Sequence, residues 1–449
     1  MKPILTLAQW LNAPRPVDTS IAWQEGHTWT LGHLRKDVGH LLEYLQQQEG
    51  DRWALCFENS YLFIVALLAT LHAGKIPVLP GHCRVTLLSE QHTLFDGLLS
   101  DKALDWQGSL RVVSSAMTLA TESFAFPAID NDAYIELFTS GSTGQPKRVN
   151  KPIRLLNNEA QLLATRFADR LANCRIVASV TPQHLYGLTF RIFLPMALGL
   201  PLHAGMLWYA EQLAALSHKY RYAFISSPAF LKRLDGQLAP PPVEMILSAG
   251  GVLSWSDAAR AASWLNVWVD EIYGSTETGV IACRDYQQDD AKWLPFPGIS
   301  IHQENGSFRV ISPLIAGVDG FLLDDILQFS KNGQFGLIGR RGRVVKIEEK
   351  RISLSEVEQR LLMLDGILDA AVLTVTRGSR QSVGALLVLD NNARKRWGKT
   401  QELTWRKALS SWLEPVAVPR YWRVIDEIPV NSMNKRVYAQ LQELFHETP

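Results

Sequence analysis

Tyr134-Ile-Glu-Leu-Phe-Thr-Ser-Gly-Ser-Thr-Gly-Gln-Pro-Lys147 is the most informative stretch of this chain. It begins as a strand, since Tyr134, Ile135, Leu137 and Phe138 are strand formers. It then breaks into six small residues, Thr139, Ser140, Gly141, Ser142, Thr143 and Gly144. The glycines permit close backbone approach and positive φ, and the hydroxyls and free N–H groups can converge on anionic oxygens. Lys147 closes the loop with a point charge suited to a phosphate. A helical pattern is expected from Ile153 to Asp169, so strand, small-residue loop, lysine and helix outline a phosphate cradle. It is not the loop in which Gly, Lys and Ser/Thr are adjacent, because Gln145 and Pro146 separate Gly144 from Lys147.

Working outward, 449 residues exceed what one core usually covers, so two or more domains are expected. An apolar fraction of 47% and a charged fraction of 20% describe a globular protein. The net charge of +1 gives no global field for nucleic acid. Residues 341–449 are mildly basic, with 18 Lys/Arg against 13 Asp/Glu; this suits an acidic or phosphate-bearing partner, or is ordinary surface scatter. Cys56, Cys83, Cys174 and Cys283 form no ligand pattern, so zinc is not expected and free thiols in a reducing cytoplasm are. The N-terminus lacks a signal-peptide core. The apolar run Leu62 to Ala73 is too short to span a bilayer and reads as a buried helix, so no stable membrane insertion is expected.

Helix and strand patterns alternate along the chain, which predicts a layered α/β fold. Loops follow strand ends at Thr181–Gly187, at Ser248-Ala-Gly250-Gly251, and after a strand over Val267–Ile272. In open α/β sheets ligands gather at that edge. A helix is expected over Leu188–Leu198. The Gly/Arg-rich stretch Gly339–Arg343 predicts a division into a large domain, 1–340, and a smaller α+β domain, 341–449. Ser353 and Glu356 have the spacing of a helix capping box.

Three further motifs carry chemistry. In Tyr273-Gly274-Ser-Thr276-Glu277, a carboxylate could hold Mg²⁺ beside phosphates, a hydroxyl could meet a phosphate oxygen, and a ring could face a base; the same residues could form a helix cap. Asp325 and Arg340 suit ribose hydroxyls and phosphate oxygens, or are two surface charges. His184, in Pro-Gln-His-Leu-Tyr-Gly187, is a structural histidine or lines a pocket.

Together these motifs resemble the adenylate-forming superfamily of acyl- and aryl-CoA synthetases, peptide-synthetase adenylation domains and luciferases. Thr139 to Lys147 match its phosphate loop, with Arg148 where the family has glycine. Tyr273 to Glu277 match its Tyr-Gly-x-Thr-Glu motif residue for residue. The resemblance implies that Tyr273 packs on adenine, Thr276 meets the α-phosphate, Glu277 binds Mg²⁺, the Gly250 loop walls the adenine, and Asp325 and Arg340 hold the ribose. It places His184 near the reacting carboxylate. Ile428-Pro-Val-Asn-Ser-Met-Asn-Lys435 resembles the C-terminal segment whose lysine bridges the substrate carboxylate and the α-phosphate, with Asn434 where the family has glycine. Gly342 occupies the hinge position, and Glu348-Glu349 replace an Arg-Gly pair that borders the thiol tunnel. The implied activity is ATP-dependent conversion of a small carboxylic acid to an acyl-adenylate. Transfer to the thiol of coenzyme A or of phosphopantetheine on an acyl carrier protein would follow. The alternatives are a non-catalytic nucleotide-binding protein of this fold and an adenylating enzyme that forms no thioester.

Overall fold

The computed structural model describes residues 3–81, 83–115, 124–140, 146–340, 343–347, 350–377, 380–413, 415–430 and 436–446. The chain divides into two compact units, Met1–Ser300 with Ile311–Phe321, and Ile301–Val310 with Leu322–Pro449.

The first unit contains two large sheets. One has six strands in the order Ser109–Val112, Gly97–Ser100, Arg52–Cys56, Ile76–Leu79, Tyr134–Ser140 and Pro146–Pro152. All its pairings are parallel except the last. The other has nine strands, and its centre is the parallel run Cys174–Ala178, Arg221–Ser226, Val243–Ser248 and Val269–Ser275. Parallel strands covered on both faces are apolar along their length, and Ala223, Phe224, Ile225, Met245, Ile246 and Leu247 are all buried. The helix Ser60–His72 is buried at every residue, as a helix apolar on all sides must be. Its start is fixed by Asn59, whose side chain accepts from the Leu62 N–H. Among the described residues no helix is long and apolar enough to cross a membrane.

The second unit is built on the sheet Ile367–Arg377, Arg380–Leu389 and Tyr421–Val424. Alternate residues separate its two cores: Ala370 and Val372 pack with Val357, Leu361 and Leu409, while Ala371 and Leu373 pack with Ile428 and Leu441. Ser353 caps the helix Leu354–Leu362 by accepting from the Glu356 N–H. By contact, residues 322–340 group with this unit, whereas the Gly339–Arg343 stretch suggested a division at 340/341. The hairpin Asp325–Phe329 with Phe335–Arg340 packs tightly on that helix, since a Cβ on Gly339 would lie 3.1 Å from Ser353 Oγ and 3.4 Å from Ser355 Cβ. Arg341, Gly342, Glu348 and Glu349 lie outside the described residues.

All four cysteines are free thiols. Burial pushes the Cys174 and Cys283 thiols up to about 11. At pH 8 the thiolate is then a minor species. We expect iodoacetamide to label both at least about a hundredfold more slowly in the native than in the unfolded chain, because only the thiolate reacts. Peptide mass spectrometry over time measures this, and equal rates in the two states would contradict the burial.

Candidate active site

Tyr134–Ser140 and Pro146–Pro152 form an antiparallel hairpin in which Thr139 lies opposite Lys147 and Ser140 opposite Pro146. The loop therefore does not run into a helix N-terminus as the sequence suggested. A second strand intervenes, and the helix Ile153–Leu171 begins only after Pro152. The strand is set by its pairing with Tyr134–Ser140, which puts Lys147, Val149 and Lys151 on one face, and Lys151 is buried. Gly141, Ser142, Thr143 and Gly144, with Lys435, lie outside the described residues.

The strand expected to end at Ile272 continues to Ser275, then turns back as Gly279–Asp285. Close backbone approach dictates this turn. A Cβ on Gly274 would sit 2.2 Å from the Gly279 carbonyl oxygen. Gly279 has φ +71°, and a Cβ there would lie 2.7 Å from Glu159 Oε1. The Ser275 and Thr278 side chains close the turn, Thr278 Oγ1 accepting from the Ser275 N–H at 3.1 Å and Ser275 Oγ accepting from the Thr278 N–H at 3.2 Å. Thr276 and Glu277 occupy its tip. The Lys147 ammonium lies 3.4 Å from Glu277 Oε1, with the two side chains 59% and 24% exposed. Two motifs 130 residues apart in sequence thus meet as an accessible pair of opposite charges.

Below this pair lie two charged residues that the motif reading missed. Lys151 is 2% exposed and donates to the carbonyls of Thr276 at 3.4 Å and Glu277 at 3.5 Å. Burial lowers its pKa, opposed first by Glu159 and then by Glu277. Glu159 is 1% exposed and accepts from the Val280 N–H at 2.7 Å and Thr189 Oγ1 at 2.8 Å. Glu159 had a sequence signal, since it interrupts the buried helix stripe of Leu155, Leu156, Ala160 and Leu163; the parity of Lys151 with Val149 emerges only from the strand pairing.

Tyr273 packs on Trp293 with ring centroids 5.7 Å apart. The Arg284 guanidinium stands over the Trp293 ring at 4.8 Å and over Tyr286 at 3.8 Å. It donates from Nε to Glu271 at 2.6 Å. Burial nonetheless pushes the Glu271 carboxyl up to about 7, against the pull of Arg284. One strand away, the loop after Val243–Ser248 carries Gly250 at φ +90°, a conformation that favours glycine.

His184 precedes the short helical turn Leu185–Gly187. Its imidazole faces Gly81, where a Cβ would lie 2.9 Å from His184 Cε1 and 3.8 Å from the Phe138 carbonyl. His184 is thus brought beside the strand Tyr134–Ser140. Gly187 closes its own loop on Thr181, whose carbonyl oxygen would be 1.9 Å from an added Cβ. The helix expected over Leu188–Leu198 is a π-helical segment, Leu188–Phe193, followed by an α-turn, Leu194–Leu198. The wider segment accommodates Thr189, which bonds Glu159, and buried Arg191, which donates to the carbonyls of Val180 at 2.7 Å and Ala204 at 3.0 Å.

In the second unit Asp325 and Arg340 stand opposite each other in register on one hairpin. Among the described residues there is no cluster of three His, Cys, Asp or Glu able to hold a metal. Mg²⁺ is commonly held by one or two carboxylates with substrate phosphates supplying the rest. The partly exposed Glu277 carboxylate beside Lys147 fits that arrangement.

The two large sheets of the first unit, with Lys147 and Glu277 paired at their strand ends, agree with the adenylate-forming class. Residues 84–312 match the profile of the AMP-binding enzyme family, and the chain belongs to that family. It is 30% identical over 247 residues to the 4-coumarate–CoA ligase of Cereibacter sphaeroides, a region covering 52% of this chain and 55% of that protein. The match thus spans about half of that relative's length. The fold is similar to ATP-bound MatB from Rhodopseudomonas palustris, with a TM-score of 0.81, 19% identity and 98% coverage of both chains. It is also similar to a benzoate CoA ligase from Burkholderia xenovorans LB400, with a TM-score of 0.75, 18% identity and coverage of 98% of this chain and 100% of that one.

Gly279→Ala should destabilise the first unit by about 1–3 kcal/mol, through positive-φ strain and displacement of Glu159. Urea unfolding followed by tryptophan fluorescence measures this, and an unchanged midpoint would contradict the contact.

Proposed function

We propose that this chain activates a carboxylic acid with ATP, forming an acyl-adenylate and pyrophosphate, and passes the acyl group to a thiol. The single observation that carries this is the meeting of Lys147 and Glu277, 3.4 Å apart and partly exposed, where the strand Pro146–Pro152 meets the turn after Val269–Ser275. A triphosphate entering there would take Lys147 as its counter-charge. Glu277 would be left to hold Mg²⁺, which when bound neutralises phosphate charge. Thr276 is assigned to the α-phosphate, Tyr273 and the Gly250 loop to the adenine, and Asp325 and Arg340 to the ribose. His184 is assigned to the acid pocket, which its position beside Gly81 and Phe138 supports. Attack of the substrate carboxylate on the α-phosphorus builds negative charge between the two groups. Lys435 is assigned to stabilise that charge, the most effective use of a fixed cation.

The acid is of the acyl or aryl class, in keeping with the 4-coumarate–CoA ligase and benzoate CoA ligase names among the similar proteins. The thiol belongs to coenzyme A or to the phosphopantetheine of a carrier protein. The four free cysteines support a reducing cytoplasmic setting.

ATP–pyrophosphate exchange over a panel of acids tests the first half-reaction. We expect exchange with at least one acyl or aryl acid, abolished by chelating Mg²⁺. Clean ATP binding without exchange for any acid would overturn the proposal. Lys435→Ala should cut exchange by about 10²–10³ with an unchanged circular dichroism spectrum. Glu277→Ala should raise the Mg²⁺ concentration for half-maximal exchange about tenfold. Mass spectrometry of coenzyme A and of a phosphopantetheinylated carrier protein after turnover identifies the acceptor.

A further inference from the structure

Lys151 and Glu159 touch the Ser275–Thr278 turn from beneath, yet neither has a part in the assignments above. Lys151 donates to two successive carbonyls of the turn, those of Thr276 and Glu277. Glu159 accepts the N–H of Val280, just beyond the turn, and a hydroxyl from the π-helical segment. The arrangement holds the backbone on both sides of Glu277. A peptide unit is planar, so fixing the carbonyls of residues 276 and 277 fixes the two planes that flank the Glu277 Cα. Those planes set the direction of its Cα–Cβ bond. A buried ammonium is costly without partners, and an apolar side chain of similar length would fill the same space without that cost. The cation is therefore poorly explained by packing alone.

We propose that Lys151, supported by the counter-charge of Glu159, is a positioning residue that aims the Glu277 carboxylate and thereby sets the metal-dependent part of ATP affinity. This rests on the nucleotide site proposed above.

Binding of a non-hydrolysable ATP analogue to the full chain, by titration calorimetry with and without Mg²⁺, tests it. Mn²⁺ binding by electron paramagnetic resonance provides a second readout that needs no turnover. Lys151→Met should weaken the Mg²⁺-nucleotide complex about tenfold. Metal-free nucleotide affinity should change by less than about threefold, since the other contacts persist. In a Glu277→Ala background, Lys151→Met should add no further loss, because the carboxylate it aims is gone. Glu159→Gln should act in the same direction. Gln keeps an oxygen for the Val280 N–H and offers an N–H to Thr189 Oγ1, so this variant retains the shape and carries the test should Lys151→Met not fold. Equal losses with and without metal would overturn the positioning role, as would losses that multiply in the double variant. A wild-type chain that binds nucleotide with no response to Mg²⁺ or Mn²⁺ would overturn the positioning role together with the Glu277 assignment, and one that binds no nucleotide at all would overturn the site itself.

Discussion

The backbone of Gly274 passes so close to the carbonyl of Gly279 that no side chain fits between them. That contact turns a strand buried in the nine-stranded sheet back on itself within a few residues, and it leaves Thr276 and Glu277 at the tip. Several other side chains of the first unit are arranged around this tip. The hairpin of the six-stranded sheet brings Lys147 to it from one side. The helix Ile153–Leu171 brings Glu159 beneath it, and the π-helical segment adds Thr189. Secondary structure from both sheets thus converges on one short piece of chain. A site on such rigid supports is held more closely than one on loops alone.

The charges near the tip fall into two groups with different physics. Lys147 and Glu277 are accessible, so their mutual attraction is screened and modest. Lys151 and Glu159 are buried, and each is satisfied by backbone groups or a hydroxyl. Groups of that kind fix geometry, because moving them would leave a buried polar atom unpaired. The Glu271 and Arg284 pair beside Tyr273 follows the same pattern, with the guanidinium also bracketed by aromatic rings.

The α/β class and most elements of both units were legible from hydrophobic period and turn residues. The motifs around Lys147 and Tyr273 were legible because their chemistry is compressed into contiguous residues. The strand after the phosphate loop was not, because Pro-Lys-Arg-Val-Asn-Lys-Pro is too polar to read as a strand. Its pairing with Tyr134–Ser140 is a tertiary decision. The π-helical segment escaped for a similar reason: its extra width follows from what Thr189 and Arg191 must reach, and helical periodicity carries no trace of that. Lys151 and Glu159 were passed over because each looks like ordinary surface charge until its neighbours on the same face are counted.

Lys147 and Lys151 lie on one side of a pleated ribbon, with Val149 between them. Their separation is therefore quantised. Gaining or losing one residue between them would send one ammonium to the opposite face, whereas a change of two would preserve parity and only alter reach. Evolution of this hairpin is free to vary the identity of the intervening residues far more readily than their number.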